Sequence, residues 1–377
     1  MNTADQRTAI AVIGGSLAGL TLALACAKHG IPVHLFERSI ERTNGGDSLS
    51  VDLAALASAV GHDPRSIPKL PVVPAYRDRH LTTWPALYSW LSETVNKTPS
   101  IRVERGKNLT AVHDLGHSVQ LDFADGTRNM AQAVIGADGY ASSIRRVLDP
   151  EMPHAQYAGY VVWRGLVEES KLRKPVALSS DQGLWIDFVN GYRLVAAVLP
   201  GRDGSLEPGR RQVTFAWFEA GRQELLRQKN CLTVNNEVIG TLGRDKIDEE
   251  IRRDLGARIA SSWPEVWAEA VAFGIQSKEA LSGSPIAEYQ PKRLAKGRLA
   301  IIGDAAHVVS PMTGSGFASA VQDAAALAQI LADAPADQSV EAALARYETA
   351  RLPFAHRLVA SSKQASAEFT RYAQSLS

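Results

Sequence analysis

The sequence predicts an α/β chain in which a parallel, doubly wound sheet is interrupted by an antiparallel β insert and closed by C-terminal helices. Three observations carry that prediction. The first forty residues read strand, glycine turn, helix, strand; the region from about 161 to 217 is a series of short β-rich runs; and a second strand, turn and helix follow near residue 300.

Taken in order, AIAVI (9–13) has the continuous apolar character of a strand buried on both faces, and Leu17, Leu20 and Leu24 recur at helical spacing. Gly30 closes that helix, Pro32 opens the connection, and VHLFE (33–37) returns to the sheet as one right-handed βαβ unit. YVVWRGLV, GLWIDFV, YRLVAAVL and QVTFAWF are then separated by turn signals such as PGRDGS, the pattern of an antiparallel sheet. Helical segments follow Trp263-Pro264, and RLAIIGDAAH (298–307) supplies another buried strand ahead of an Ala-rich helix through Ala332. The last forty residues read as helical. The expected division is 7–157 with 286–337 for a nucleotide-binding part, 158–285 for the insert and 338–377 for the C-terminal helical segment.

Composition limits the function classes. With 377 residues, a net charge of +1 and no basic run, the chain lacks the electrostatic footprint of a nucleic-acid or anionic-membrane binder. Cys26 and Cys231 have neither disulfide-framework nor zinc spacing, so no metal site is expected. The apolar stretch 10–27 is broken by Gly14, Gly15, Ser16 and Gly19 and runs straight into a strand, so it reads as part of the fold and the protein as cytoplasmic.

Three segments carry chemistry. In VIGGSLAGL (12–20), Gly14-x-Ser16-x-x-Gly19 lets backbone approach a pyrophosphate at a helix N-terminus, with Ser16 standing where a middle glycine is usual. Glu37, eighteen residues past Gly19, ends the second strand where a carboxylate accepts hydrogen bonds from ribose hydroxyls. VIGADGYASSIRR (134–146) places Asp138-Gly139 after a strand and Ser142, Ser143, Arg145 and Arg146 at a helix start, a pattern that equally describes a structural cap. AIIGDAAHVVSPMTGSGF (300–317) sets Asp304 after a strand for polyol or ribityl hydroxyls, and Gly314-x-Gly316 before a helix whose free N–H groups suit a negatively charged group. Two separated anion-suited helix starts fit a cofactor with two separated parts, such as FAD, better than a nicotinamide cofactor alone.

Together these segments resemble the three fingerprints of the single-component, FAD-dependent aromatic hydroxylases, over nearly the whole chain. YAGYVVWRGLV (157–167), GLWIDFVNGYRLVAAVLPGRDG (183–204) and TFAWF (214–218) are similar to the 2,6-dihydroxypyridine 3-hydroxylase branch. The resemblance implies a Rossmann-like FAD-binding domain with an inserted antiparallel β-sheet substrate domain and C-terminal helices. It implies FAD contacts at Gly14, Gly15, Ser16, Gly19, Glu37, Arg38, Leu109, Asp138, Asp304, Pro311, Gly314, Ser315, Gly316 and Phe317. The chain departs from the family pattern at Trp84, which takes the place of an arginine near the flavin, and at Ala318, which replaces an asparagine. His307 is retained and reads as a structural residue beneath the cofactor.

The implied reaction uses NADH or NADPH as a transient co-substrate and O2, through a flavin C4a-hydroperoxide that hydroxylates an electron-rich aromatic or hydroxypyridine ring. Substrate is expected between the 311–316 turn and the antiparallel sheet, with Trp185, Asp187, Tyr192, Arg193 and Trp217 as candidates, about half of which can face one side of the sheet. No residue stands out as a catalytic base. The expected partners are a small aromatic substrate and O2, with no nucleic acid or membrane and with a homodimer left open. Epoxidation of an alkene or polyketide on the same fold, and flavin binding without turnover, are the alternative readings.

Overall fold

The computed structural model describes residues 9–41, 48–75, 78–177, 183–335 and 337–376; the expected start of the first segment at residue 7 lies outside them. The central sheet has six strands in the order Ala295–Lys296, Leu299–Ile301, Ala133–Gly136, Ile10–Ile13, Val33–Glu37 and Ile101–Arg105. All neighbours pair in parallel except the short edge strand Ala295–Lys296. IAVI and AVIG are buried at every position, as strands covered on both faces require. The helix Leu17–Lys28 packs against the helix Gly316–Ala332, so segments almost three hundred residues apart share one core. Gly30 lies at φ +74° just after the first helix, where its N–H bonds the Ala27 carbonyl and stops the helix.

The insert is a five-stranded antiparallel sheet in the order Leu184–Val189, Tyr192–Leu199, Gln212–Ala220, Gln156–Glu168 and Leu281–Glu288. In chain order its first strand begins at Gln156 and its last ends at Glu288. Side-chain alternation gives it two distinct faces. The back face carries Trp163, Leu194, Ala196, Phe215 and Trp217 and packs on the helices Glu249–Ala257 and Glu265–Gln276. The front face carries Tyr160, Val162, Val195, Ala216 and Phe218, which meet Met312 and Phe369. Further along the same face, Ala197 and Leu199 meet Leu81 of the short strand Arg79–Thr83.

One helix, Val340–Gln374, spans both parts of the molecule and accommodates Pro353. Near its start Tyr347 donates to the Ile301 carbonyl, and Glu348 accepts from the amides of Leu294 and Ala295 at the central sheet. Near its end Ser362 and Ser366 donate to Glu288, and Phe369 joins the front-face cluster. Among the described residues no helix is long and apolar enough to cross a membrane.

Candidate active site

Three turns leave the carboxyl ends of adjacent parallel strands, at 14–19, 137–142 and 302–306, and converge on one edge of the central sheet. Gly14 sits at φ +106°, and a Cβ there would lie 2.5 Å from the Ala137 carbonyl oxygen; at Gly19 it would lie 1.9 Å from that of Gly14. Only glycine allows this closeness, which brings the first turn against the Asp138 segment. Ser16 precedes the first helix without capping it by its side chain, so the hydroxyl and the first-turn amides remain available to a phosphate. Glu37 is buried at the end of the second strand, and its carboxylate accepts from the amides of Gly15 (2.7 Å) and Ser39 (2.8 Å). Those bonds aim it at the glycine turn. Arg38 is exposed beside it, and Leu109 is half-buried against the central core.

Asp138 accepts from the Ser143 amide at 2.6 Å through one oxygen, while its other oxygen is buried without a partner. Burial raises its carboxyl above the ordinary value, against the pull of bonds from Ser142 and Ser143. Asp304 is open to the cleft on one side and ringed by protein on the others, and this surrounding raises its carboxyl, opposed by His307 and Arg145. Its carboxylate has no hydrogen bond among the described residues, so it is a free acceptor beside the second anion-suited helix start. There Gly314 (φ +60°) and Gly316 face open space where a Cβ would be, and Ser315 makes no side-chain cap to the helix Gly316–Ala332. An orphaned carboxylate oxygen, an unpartnered carboxylate and two uncapped helix starts fit a diphosphate-linked cofactor with a polyol arm and a polar ring.

Two groups that hold these turns together were not identified as such from sequence. Arg145 is fully buried, donates to the carbonyls of Asp304 (3.3 Å), Pro153 (3.4 Å) and Tyr140, and lies 4.5 Å over the Tyr289 ring. It ties the second segment to the third, whereas Arg146 is exposed. Asp323 is the other: it accepts from His307 (2.7 Å), Arg351 (2.9 Å) and the Gly303 amide (3.0 Å). Burial opposes charge on both partners of the His307–Asp323 pair, yet their mutual attraction raises the imidazole and lowers the carboxyl. A single acid inside an Ala-rich helix, sixteen residues after His307, was the available signal.

The five substrate candidates separate by strand parity. Trp217 is fully buried on the back face, its ring 5.3 Å from Tyr192 and 5.9 Å from Trp263. Tyr192 shares that face and accepts from Arg258 at 2.9 Å. Trp185 packs 5.8 Å from Trp263. Asp187 pairs across strands with back-face Leu194, is exposed, and accepts from the Phe188 amide. By parity all four lie on the face opposite the one that meets Met312, with Trp185, Tyr192 and Trp217 packed in the helix-covered cluster and Asp187 exposed. Arg193 alone is on the front face, donating to the Met312 carbonyl at 3.4 Å with its guanidinium 5.1 Å from the Phe218 ring. Pro311 and Gly314 are exposed at the turn, and Phe317 is half-buried. Arg79 bonds the Gly314 carbonyl at 2.7 Å, and Trp84 stacks on Tyr88 with centroids 4.9 Å apart.

Comparison with known proteins agrees with this geometry. The chain is 27% identical over 365 residues to 2,6-dihydroxypyridine 3-monooxygenase of Paenarthrobacter nicotinovorans, covering 92% of this chain and 88% of that one. The solved 2,6-dihydroxypyridine-3-hydroxylase of Arthrobacter nicotinovorans shares its fold, with a TM-score of 0.79 and 24% identity over 96% of this chain and 93% of that one. Klebsiella pneumoniae HpxO, solved with FAD and uric acid, also shares the fold, with a TM-score of 0.72 and 21% identity over 98% and 92% of the two chains. Residues 76–362 match the family described as FAD binding domain, which is most of the chain. The chain therefore belongs to the FAD binding domain family, and FAD is its cofactor.

Proposed function

We propose that this chain is a monooxygenase that hydroxylates an electron-rich aromatic or hydroxypyridine ring with NAD(P)H and O2. The observation that carries this reading is the position of the 311–316 turn. It stands between the cofactor turns and the front face of the antiparallel sheet, with Arg193 bonded to the Met312 carbonyl. The relatives named above, a dihydroxypyridine monooxygenase and a protein solved with uric acid, support a heteroaromatic ring.

On this reading Gly14, Gly15, Ser16 and Gly19 hold the pyrophosphate, and Glu37 with Arg38 flanks the adenosine. Leu109 and Asp138 line the cofactor cleft, Asp304 receives ribityl hydroxyls, and Pro311 with Gly314 to Phe317 seats the ring system. When bound, FAD supplies the redox chemistry by which NAD(P)H and O2 deliver one oxygen atom. The chain's own task is placement and exclusion of water. Val162, Phe218 and Met312 form an apolar wall, and Arg193 lies where its charge favours an ionised ring hydroxyl, which makes the ring more nucleophilic. The division at 158 and 285 is proposed to separate cofactor binding from substrate binding.

The test is reaction of purified, FAD-loaded protein with hydroxypyridines and phenols, following NADH and NADPH oxidation and product mass. Ring-stimulated oxidation and gain of one oxygen on the ring are expected. Epoxide formation from alkenes without ring hydroxylation, or a yellow protein that no ring stimulates, would overturn the proposal.

A further inference from the structure

One cross-strand row on the front face of the antiparallel sheet is left open. It consists of Ile186, Val195, Ala216, Arg164 and Ser282, one residue from each of the five strands in their spatial order. Ile186 is 46% exposed and the other four are half-buried. The rows on either side are closed at the centre of the sheet: Phe218 and Val162 are buried in one, Ala197 and Thr214 in the other. On the back face Leu194, Phe215, Trp217 and Trp163, which alternate with the open row, are buried as well. The exposure of Val195 and Ala216 therefore comes from the front side alone.

This row is the floor of a trough, and strand register fixes its size. Same-face rows lie two residues apart along a strand, about 7 Å, so the two closed rows stand about 14 Å from each other. Four strand spacings separate the Ile186 and Ser282 backbones, roughly 19 Å. One wall is the Phe218 row with Met312 of the 311–316 turn against it. The other is Ala197 with Leu81 of the strand Arg79–Thr83 upon it. Arg79 ties that strand to the turn through its 2.7 Å bond to the Gly314 carbonyl.

The floor is far longer than a single six-membered ring, and its two halves differ in character. At one end Arg164 and Ser282 are polar, and Arg164 donates to Ser284 Oγ at 2.8 Å. From Ala216 through Val195 to Ile186 the floor is apolar, and Phe188 stands beside Ile186 with 50% of its surface exposed. Ile186 and Phe188 sit on the outermost strand, Leu184–Val189, so the apolar half runs out at the edge of the sheet. An apolar groove continuous with a concave polar site is built for the apolar part of the ligand which that site holds.

We infer that the substrate is an extended molecule: an electron-rich ring that carries an apolar substituent or a fused second ring. The reacting ring lies beside the 311–316 turn, and the apolar part lies over Ala216, Val195 and Ile186 toward the sheet edge. The inference rests on the hydroxylase reading and names the substrate class of that same site. It makes Val195 and Ile186 specificity-determining residues. A bulky side chain at Val195 fills the apolar half, and a polar one at Ile186 removes the apolar contact at its end.

Calorimetric titration of the oxidised, FAD-loaded protein with 4-methylphenol, 4-propylphenol and 4-hexylphenol tests this without turnover. Each added methylene should tighten binding by about twofold if half-buried and about fourfold if fully buried. Val195→Phe should abolish the gain from methyl to hexyl, and Ile186→Ser should reduce the hexyl gain more than the propyl gain. The readout is the ratio of Kd values within the series, which a general loss of ring affinity leaves in place. A Kd that is flat across the series in wild type, or a gain that both variants keep, would overturn the inference. Should Val195→Phe lose FAD or melt early, Ile186→Ser decides alone, since its position is exposed at the sheet edge; a hexyl gain equal to that of wild type then overturns it. Hydroxylation of 4-methylphenol and 4-hexylphenol with the same KM removes this inference alone, whereas no ring-stimulated NAD(P)H oxidation at all removes the hydroxylase reading.

Discussion

Replacing Asp304 with asparagine separates a ligand-binding role from a structural one, because the two roles predict opposite signs. The Asp304 carboxylate accepts no hydrogen bond from the described residues, and Arg145 holds this residue through its backbone carbonyl, which the substitution keeps. Asparagine therefore orphans no protein donor. If FAD hydroxyls bond the carboxylate, the loss is that of charge-assisted bonds, about 1.5–3 kcal/mol, or roughly 10- to 150-fold in Kd. The FAD-free protein should move the other way. The folded-state carboxyl is raised, so wild-type apoprotein loses stability as pH rises from about 4 through the folded value, and Asp304→Asn removes that loss. Flavin fluorescence quenching on titrating apoprotein with FAD gives the Kd, and apoprotein melting from pH 4 to 8 gives the second sign. An unchanged Kd, or an apoprotein less stable than wild type across that range, would refute the reasoning.

Three further outcomes follow from the same geometry. Gly14→Ala forces a side chain into a positive-φ position 2.5 Å from the Ala137 carbonyl, so it should cost about 1–3 kcal/mol in urea unfolding and reduce bound flavin; wild-type values on both counts would contradict the close approach. Asp323→Asn leaves His307 and Arg351 unpaired in the core and should cost about 3–5 kcal/mol. Wild type should be most stable in the window between about pH 4 and 6.5: the lowered Asp323 carboxyl loses its contribution as pH falls through its folded value, and the raised His307 imidazole loses its own as pH rises through its folded value. Thermal melts across pH should show that window flattened in the variant. Trp217→Ala should destabilise by about 3–5 kcal/mol, while Trp217→Phe should leave aromatic-ligand affinity unchanged; a shift in ligand preference would return Trp217 to the substrate side.

The cofactor half of the fold was legible because its signals are local. A strand buried on both faces reads as an apolar run, and the glycines at 14 and 19 are demanded by backbone contacts that no other residue permits. The antiparallel half was legible as strands but not as faces. Alternation says that Tyr192 and Arg193 point opposite ways; it does not say which side the helices after Trp263 will cover. That choice is made by tertiary packing, which puts Trp185, Tyr192 and Trp217 in the helix-covered cluster and leaves Asp187 exposed on the same face. Arg164 escaped notice for a related reason. Within YVVWRGLV it reads as one polar break in an apolar strand, and only the register with Ala216 and Ser282 and the bond to Ser284 show what it leans toward. Arg145 and Asp323 are legible only through partners far away in sequence.

The long C-terminal helix acts as a ruler. Glu348 is fixed against the central sheet and Arg351 against Asp323 of the helix Gly316–Ala332 at one end, and Ser362, Ser366 and Phe369 against the antiparallel sheet at the other. Insertion of one residue between these two sets would turn the distal set by about 100° and advance it about 1.5 Å, taking both serines off Glu288. Loops elsewhere in the chain can lengthen at little cost. This helix cannot, so the number of residues between Arg351 and Ser362 is itself an inherited measurement of the gap between the two sheets.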